Sequence, residues 1–435
     1  MKKQTRRKFA PTFKATTMSP LKKIKASLLL KRRKFIKIGT LSAAAAVAGQ
    51  GFMPHSKVKN EKTNTDYFHT PLCDILGIKF PIIQSGMGSV ATPELAAKVS
   101  EAGGLGIIGA TFLTPDELRD RIHRVRQLTQ KPFGVNLLLH EGIVSPVEVN
   151  KIPDAQVQEV QQVLNSFRSQ LGIPEQHNRP IAVPDSVKAA LEVILEENVP
   201  VWSIGLGKPS PEQVMLCHKK GIKVIAMIAT VENAKEVSQT EVDVIIAQGS
   251  EAGGHRSTWL KRGSKEDACI GTMVLVPQVV DAVKQTVVAA GGITDGRALA
   301  AALALGASGV LVGTRFLATK ESGAPEFHKQ AVLRTSSDFT TVTDKLSGGY
   351  ARAIRNTITT EYEKRNAAVL PPWVHYLAAQ DIYQAARANN RADFYTLWAG
   401  QGIGHIQNIP GADEVVLSLI REAKAVIKRL PTYTN

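Results

Sequence analysis

The chain has 435 residues, and its 54 lysines and arginines outnumber 38 aspartates and glutamates to give a formal net charge of +16. A content of 43% hydrophobic and 21% charged residues excludes wholesale disorder, and no apolar run approaches the about 20 residues that a membrane-spanning helix needs. Residues 1–48 hold fourteen basic residues and no acidic one, which leaves 40 basic against 38 acidic residues in the remainder. The nearly neutral body therefore gives no electrostatic argument for a nucleic-acid or anionic-membrane partner.

The amino-terminal segment, residues 1–48, has the features of an export signal. The pair Arg32-Arg33 and the aromatic Phe35 precede an alanine-rich apolar stretch with an Ala-x-Ala ending at Ala48, a pattern typical of a twin-arginine signal. We therefore expect export by the twin-arginine machinery, cleavage near Ala48 and a periplasmic location. The alternative is a basic tail on a cytoplasmic protein. The polar residues 49–70 are predicted to form a linker.

After the linker, short β-branched and apolar runs alternate with longer segments of helical period, which predicts βα units around a parallel sheet. Proline and an acidic residue follow Thr92, Thr114 and Ser210, as expected where helices begin. The eight runs predict an α/β fold, a (β/α)8 TIM barrel over residues 71–325. They cover residues 80–84, 105–109, 133–138, 201–205, 223–228, 242–248, 286–290 and 309–312.

Two connections are too long for plain turns, and long insertions after barrel strands often build active sites. Residues 140–185 include an amphipathic segment over 154–170 and are a candidate lid. Residues 251–277 are rich in glycine and charge. Beyond Pro325 the β period disappears, which predicts a mainly helical carboxyl-terminal region, residues 326–435, that packs on the barrel and contains Trp373 and Trp398.

Glycines at the exits of the last two predicted strands indicate a phosphate site. Gly291 and Gly292 follow the seventh strand, and Gly313 and Thr314 follow the eighth. Glycines let backbone N–H groups approach an oxyanion closely, and this part of a TIM barrel commonly binds phosphate. The residues alone do not identify the phosphate compound.

The sixth strand ends at Gln248, and the glycine-rich loop after it carries Gly253 and His255. A glutamine at a strand end presents an amide to the barrel mouth, and the glycines allow a flat ligand to lie close. Histidine can exchange a proton near neutral pH or hold a developing anion. We therefore expect His255 to be functional.

The first and third strands also carry candidate ligand contacts. Gly86, Met87 and Gly88 place flexible backbone at the barrel mouth after the first strand. Asn136 lies in an otherwise apolar third strand, where its amide costs free energy unless it is hydrogen-bonded. Either a ligand or a neighbouring strand end can supply that partner.

Together these motifs resemble the nitronate monooxygenase family, formerly called 2-nitropropane dioxygenases, over roughly residues 72–430. The most specific element is the string Glu-Ala-Gly-Gly-His that ends at His255. Two departures are Gly86, where proline commonly precedes the methionine, and Ser257, where glycine commonly follows His-Arg; both are expected to reshape the substrate end of the site. The matching segments are 81–88, 103–106, 133–136, 248–255, 290–293 and 313–316.

The resemblance implies an FMN-dependent enzyme that oxidises alkyl nitronates, or nitroalkanes, with O2 to carbonyl compounds and nitrite. His255 would be the catalytic histidine, removing the α proton when the substrate is a neutral nitroalkane. The implied FMN contacts are Gly86, Met87 and Gly88 beside the isoalloxazine, hydrogen bonds from Asn136 and Gln248, Gly253 close by, and Gly291, Gly292, Gly313 and Thr314 at the phosphate.

Three alternatives remain open. The first is an FMN-dependent NAD(P)H reductase of quinones or enoyl thioesters, which need not carry a Rossmann fingerprint. The second is an enzyme similar to IMP dehydrogenase with Cys269 as nucleophile, although no activating base is evident for this cysteine. The third is a non-catalytic exported flavin-binding protein. The three cysteines are too few and too scattered for a disulfide framework or a cysteine-built zinc site.

Overall fold

The computed structural model describes residues 68–184, 186–259 and 269–430. The predicted export signal, its cleavage near Ala48 and nearly all of the linker lie outside these residues. All eight predicted barrel strands are present, and four of them have the predicted bounds. The strands are β1 Ile82–Gln84, β2 Gly106–Gly109, β3 Phe133–Leu138, β4 Val201–Gly205, β5 Lys223–Ile228, β6 Val244–Gln248, β7 Gly254–His255, β8 Thr286–Ala290, β9 Val310–Val312, β10 Thr340–Thr343 and β11 Ala351–Ile354.

Eight of these strands form the barrel that the sequence predicts. They pair in parallel in the order β1-β9-β8-β6-β5-β4-β3-β2. The barrel closes between its two end strands, because the N–H of Leu105 donates to the carbonyl of Ile82 at 2.9 Å and the N–H of Gln84 donates to the carbonyl of Leu105 at 2.8 Å. Closure brings the carboxyl ends of all eight strands to one face, which is where such barrels carry their sites.

The predicted helix starts are confirmed, since the hydroxyls of Thr92, Thr114 and Ser210 each accept a backbone hydrogen bond from the first helical turn. The helices are α1 Pro71–Leu76, α2 Pro93–Glu101, α3 Pro115–Leu128, α4 Glu141–Val144, α5 Asp154–Leu171, α6 Val187–Glu196, α7 Pro211–Lys219, α8 Val231–Ser238, α9 Thr272–Ala282, α10 Gly296–Ala304, α11 Thr314–Leu317, α12 Glu326–Arg334, α13 Thr357–Arg365, α14 Val374–Ala378, α15 Gln380–Ala388 and α16 Ala412–Arg429.

Two hydrophobic layers hold the barrel together. Inside it, inward-facing aliphatic residues such as Ile83, Ile225 and Val288 pack with Leu72 and Leu76 of α1. Outside it, a larger buried layer fills the space between strands and helices. The strands are buried on both faces, which explains why they read as continuous apolar runs rather than alternating ones. Within the ranges described, no helix combines the length and apolarity needed to cross a membrane.

The eighth helix of the outer ring comes from the carboxyl-terminal end of the chain. Helix α16 packs against α10 and α2, and the carboxylate of Glu422 accepts a 2.9 Å hydrogen bond from the N–H of Gly296 at the start of α10. The outer ring of helices is therefore not complete at residue 325, because the carboxyl-terminal region supplies its last helix.

The same region contains β structure that the sequence did not lead us to expect. Strands β10 and β11 form an antiparallel pair, and β11 also pairs with β7. The expectation that the β period disappears beyond Pro325 is therefore wrong for residues 340–354. These short strands contain threonine, alanine and arginine and lack the long apolar runs of the barrel strands.

The described part of the candidate lid, residues 140–185, stands apart from the wall of the main cavity. None of these residues lines the main cavity. Helix α5 instead packs on α15 through Arg168, which is only 1% exposed. Its guanidinium donates to the carboxylate of Asp381 at 2.8 Å and to the carbonyl of Ala378 at 2.7 Å.

Replacement of Asp381 by alanine is expected to lower the free energy of unfolding by about 2 to 3 kcal/mol, because a buried guanidinium loses its counter-charge. Urea unfolding followed by circular dichroism measures this loss. The matched control is Asp393→Ala, which breaks an exposed pair with Arg391 and should cost less than about 1 kcal/mol. Equal effects of the two substitutions would contradict the structural role of Arg168.

Candidate active site

A cavity of about 460 Å³ opens at the carboxyl ends of the barrel strands, within the size range of small-molecule and cofactor sites. The structure brings every site residue predicted from the sequence to the wall of this one cavity. They are Gly86, Met87, Gly88, Asn136, Gln248, Gly253, His255, Gly291, Gly292, Gly313 and Thr314.

His255 lies on β7 and is held by the carboxyl-terminal sheet. It pairs with Ala351 of β11, and its neighbour Gly254 pairs with Arg352. Gly254 has φ +75°, a left-handed conformation that favours glycine. One strand pairing between distant parts of the chain therefore fixes the backbone that carries the imidazole.

The imidazole of His255 is hydrogen-bonded to Ser347. Its Nε2 lies 2.8 Å from the Ser347 hydroxyl oxygen, and that hydroxyl donates to the carbonyl of Gly349 at 3.2 Å. With the serine hydrogen assigned to that carbonyl, Nε2 carries the proton and donates to the serine. Nδ1 then holds the lone pair, and it has no hydrogen-bond partner among the described residues.

The surroundings of His255 keep its imidazole neutral. The rings of Trp373 and Trp398 lie 4.7 and 5.2 Å from it, measured between centroids. Burial, with a smaller contribution from nearby His140, lowers the pKa of His255 to about 3. The side chain is thus an unprotonated base over the whole physiological pH range.

Gln248 and Asn136 are partly occupied by protein contacts. The Gln248 amide donates to the carbonyl of His255 at 2.9 Å and accepts from the N–H of Ser257 at 2.8 Å. It therefore positions the histidine loop, residues 249–257, which carries His255. The Asn136 amide donates to the Ser203 hydroxyl at 3.1 Å. Its carbonyl oxygen has no donor among the described residues, and both side chains retain hydrogen-bonding capacity toward the cavity.

Close packing explains two of the predicted glycines. A Cβ at Gly86 would overlap the Cβ of Asn136, and one at Gly253 would lie 2.5 Å from the backbone nitrogen of Gly400. The glycine in place of proline at position 86 is therefore matched to the side chain of Asn136. Gly253 lets the histidine loop touch the carboxyl-terminal region.

The four predicted phosphate residues lie together, as expected. Gly291 and Gly292 have φ values of +108° and +70°, which turn the chain sharply after β8. The N–H groups of Gly292 and Thr314 donate to no acceptor in the described ranges. The Thr314 hydroxyl accepts from Gly400 N–H at 3.0 Å, so its own hydrogen is available. The cluster offers donors to an anion.

The side of the cavity opposite the barrel strands is lined by the carboxyl-terminal region, and sequence reasoning missed most of it. Trp373 and Trp398 were noted only as features of the tail. Trp373 has φ +69°, which is rare for a bulky residue. Its backbone N–H donates to the carbonyl of Ser347 at 2.9 Å. The other residues contributed by this region are His328, Tyr376, Tyr395, Thr396, Gly400 and Gly402.

Two buried polar atoms in this wall lack partners in the part of the chain described, Nε1 of Trp373 and Nδ1 of His328. The Nε2 of His328 lies 3.1 Å from the carbonyl of Trp398 and must therefore donate, which leaves Nδ1 as an acceptor. Burial lowers the pKa of His328 to about 4. Unsatisfied buried polar atoms are uncommon, and a ligand in the cavity would supply partners.

Ser257, the second departure, has an internal structural role. Its hydroxyl donates to the carbonyl of Met227 at 2.8 Å and accepts from the N–H of Leu206 at 2.9 Å. It therefore ties the histidine loop to the ends of β4 and β5, although it also lines the cavity.

Cys269 is separate from this site. Its thiol lies near Arg256 and Arg352, charged neighbours that the sequence did not reveal, yet the residue does not line the cavity. This placement disfavours Cys269 as a nucleophile. The described residues contain no cluster of histidine, cysteine or carboxylate side chains suited to a metal ion.

Comparison with known proteins identifies the family. A family model described as nitronate monooxygenase matches residues 69–422. A probable nitronate monooxygenase from Staphylococcus haemolyticus is 38% identical over 338 residues, covering 77% of this chain and 92% of the relative. A relative of the same description from Staphylococcus saprophyticus is 34% identical, with coverage of 83% and 99%. The chain belongs to the nitronate monooxygenase family.

Solved structures agree with this assignment. Nitroalkane oxidase from Streptomyces ansochromogenes has a TM-score of 0.74 and 33% identity, with 82% of this chain and 99% of that chain covered. FabK from Thermotoga maritima has a TM-score of 0.65 and 31% identity, with coverage of 84% and 99%. The protein is therefore an oxidoreductase of the flavin-dependent nitronate monooxygenase type, built on a TIM barrel.

Proposed function

We propose that the protein binds FMN and uses O2 to oxidise alkyl nitronates, and neutral nitroalkanes, to carbonyl compounds and nitrite. The observation that carries this proposal is a neutral imidazole with a free Nδ1 in a cofactor-sized cavity of a nitronate monooxygenase fold. Proton abstraction from carbon needs such a base at neutral pH. Family membership supplies the reaction class.

The residues of the cavity fit FMN. Free N–H groups at Gly292 and Thr314, together with the Thr314 hydroxyl, are suited to its phosphate. The Asn136 carbonyl oxygen is an acceptor suited to an N–H of the flavin ring, and Gln248 retains a spare amide N–H. These residues would hold the cofactor, and Gly86 and Gly253 leave the nearby walls without side chains.

Bound FMN would supply an electron acceptor for the nitronate and a route for those electrons to O2. The chain's own contribution is to bind, orient and deprotonate. Nδ1 of His255 takes the α proton of a neutral nitroalkane, while Nε2–H keeps its hydrogen bond to Ser347 before and after the transfer. The rings of Trp373 and Trp398 limit water near the imidazole, which favours the neutral base before reaction.

An NAD(P)H-dependent reductase is the second candidate, and the similarity to FabK indicates that a related family shares this barrel. It differs from the first candidate in the electron donor, because NADH or NADPH instead of a nitronate would reduce the flavin. A flavin-binding protein without catalysis is the third candidate, and it predicts no turnover with either donor.

With ethyl nitronate or nitroethane as substrate, the flavin-loaded protein is expected to consume O2 and release nitrite. His255→Asn should lower kcat/KM for nitroethane by about 100- to 10,000-fold because the base is lost. The loss for preformed ethyl nitronate should be smaller, about 10-fold or less, because that substrate needs no proton abstraction. Oxygen uptake and nitrite release are the measurements.

The matched control for this experiment is His123→Gln, which changes a solvent-exposed histidine paired with Glu197 on the barrel exterior. Its activity should equal that of the unaltered protein. A flavin-loaded His255→Asn protein with unchanged activity on nitroethane would remove the central residue from the proposal.

The depressed pKa of His255 predicts how activity depends on pH. Protonation of His255 removes the base, and burial shifts this protonation to lower pH. The value of kcat/KM for nitroethane should therefore stay level as the pH falls from 8 to about 5. An unperturbed histidine, with a pKa of about 6.5, would already lose activity near pH 6. A decline centred near pH 6.5 would contradict the neutral-base assignment.

Ser347 is expected to act by positioning the tautomer of His255. Ser347→Ala should lower kcat/KM for nitroethane by about 10-fold, because Nδ1 would then be protonated in part of the population, and should change ethyl nitronate turnover by less than about 2-fold. Steady-state kinetics with both substrates separates these effects. Ser418→Ala, in helix α16 away from the cavity, is the control. Equal losses with both substrates would show that Ser347 has a structural role only.

A further inference from the structure

Glu251 is the first residue of the string Glu-Ala-Gly-Gly-His, in which Gly253 and His255 already have places at the site. Its carboxylate lies at the start of helix α9. It accepts from the backbone N–H of Thr272 at 2.9 and 3.0 Å and from the Thr272 hydroxyl at 2.8 Å. The N-cap of this helix is Gly271, which has no side chain that could cap it. Glu251 therefore supplies the cap from the loop after β6.

The Thr272 hydroxyl connects the Glu251 carboxylate to the turn after β8. The hydroxyl oxygen lies 3.1 Å from the carbonyl oxygen of Gly291, so its hydrogen is shared between that carbonyl and the carboxylate. The next residue of the turn is Gly292, whose N–H is one of the free donors expected at the phosphate. The pair Glu251 and Thr272 thus reaches the backbone that presents these donors.

Glycines let this pair fit between the end of β6 and the turn after β8. A Cβ at Gly249 would lie 1.9 Å from the Thr272 hydroxyl oxygen, and one at Gly291 would lie 2.9 Å from it. The backbone carbonyl of Glu251 also accepts from the N–H of Gln401 at 2.8 Å. Glu251 is therefore held by the carboxyl-terminal region while its side chain holds the start of α9.

The turn has open space on two sides. Gly291 and Gly292 line the main cavity, and both also line a second cavity of about 290 Å³ bounded by α9 and α10. The second cavity is walled by residues such as Ala301 and Met273, and Met273 is 66% exposed. Packing therefore gives the turn little support, and hydrogen bonds decide where its N–H groups point.

A carboxylate at this place is unexpected on charge alone, because it repels an anion. Glu251 is the one carboxylate among the described residues of both cavity walls. It is also close to the turn, since a Cβ at Gly292 would lie 3.4 Å from the Cβ of Glu251. Its charge opposes phosphate binding, whereas its hydrogen bonds hold the donors for the phosphate. The two effects have opposite signs, so substitutions can separate them.

Resting on the proposed function for its FMN site, we infer that Glu251 is a positioning residue. Through Thr272 it holds the turn of Gly291 and Gly292 in the conformation that binds the flavin phosphate, and this effect exceeds the repulsion. A protein without the carboxylate loses affinity for the phosphate end of the cofactor and keeps its affinity for the ring. Riboflavin has the ring and the ribityl chain but no phosphate, so it provides the comparison.

The experiment measures dissociation constants of FMN and riboflavin by flavin fluorescence, using the full chain freed of bound flavin. Glu251→Ala should weaken FMN binding by about 10- to 30-fold and riboflavin binding by less than about 2-fold. Glu251→Gln should bind FMN within about 3-fold of the unaltered protein. Its amide can accept from the Thr272 N–H and donate to the hydroxyl, which then gives its hydrogen to Gly291.

The control and a second variant test the pathway through Thr272. Glu94→Ala, which breaks an exposed ion pair with Arg124, should change neither dissociation constant. Thr272→Val should weaken FMN binding by about 3- to 10-fold, and adding it to Glu251→Ala should cause little further loss, because both remove the same contact. Riboflavin binding also reports folding, since a misfolded variant loses affinity for both flavins.

Three results would overturn the inference. Tighter FMN binding by Glu251→Ala would show that repulsion dominates, equal weakening of FMN and riboflavin would show a general structural role, and additive losses in the double variant would separate Glu251 from Thr272. Failure of the unaltered protein to bind FMN would instead overturn the proposed function. If the unaltered protein and Glu251→Ala bind FMN equally well, only the inference about Glu251 fails.

Discussion

The site depends on one short strand pairing, between β7 in the loop after the sixth barrel strand and β11 in the carboxyl-terminal region. Only two residue pairs form it, His255 with Ala351 and Gly254 with Arg352. The Arg352 guanidinium strengthens it by donating to the carbonyl of Ser250 at 2.8 Å and to the Thr340 hydroxyl at 3.0 Å. The base is therefore held by residues about one hundred positions apart in sequence.

The pairing joins two parts of the chain that contribute different groups to the site. The barrel contributes glycine turns, free backbone N–H groups and strand-end amides, which suit a flavin and its phosphate. The carboxyl-terminal region contributes the aromatic rings around His255 and the serine that orients it. Since these rings exclude water from the imidazole, burial by the second part makes the histidine a neutral base for chemistry on a cofactor held by the first.

The barrel and its site residues could be predicted because local sequence encodes them. Strands such as Phe133–Leu138 are continuous apolar runs, and parallel closure forces their carboxyl ends to one face. Residues at those ends, including Gln248 and Gly313, must then converge. Knowing the fold class was enough to bring these distant residues together.

The remaining features depend on contacts that leave no local pattern. Ser347 reaches His255 across 92 positions, and helix α16 joins the outer ring after more than one hundred intervening residues. The insertion over residues 140–185 has an amphipathic helix, but periodicity does not reveal which surface that helix covers. That helix proved to pack on α15, with Arg168 and Asp381 at the contact.

The most direct test of the account is anaerobic mixing of the flavin-loaded protein, in separate experiments, with propionate 3-nitronate, NADH and NADPH while the visible flavin absorbance is followed. We predict rapid bleaching by the nitronate and little change with either nicotinamide. Bleaching by NADH or NADPH without bleaching by the nitronate would contradict it, as would a purified protein that cannot be loaded with FMN.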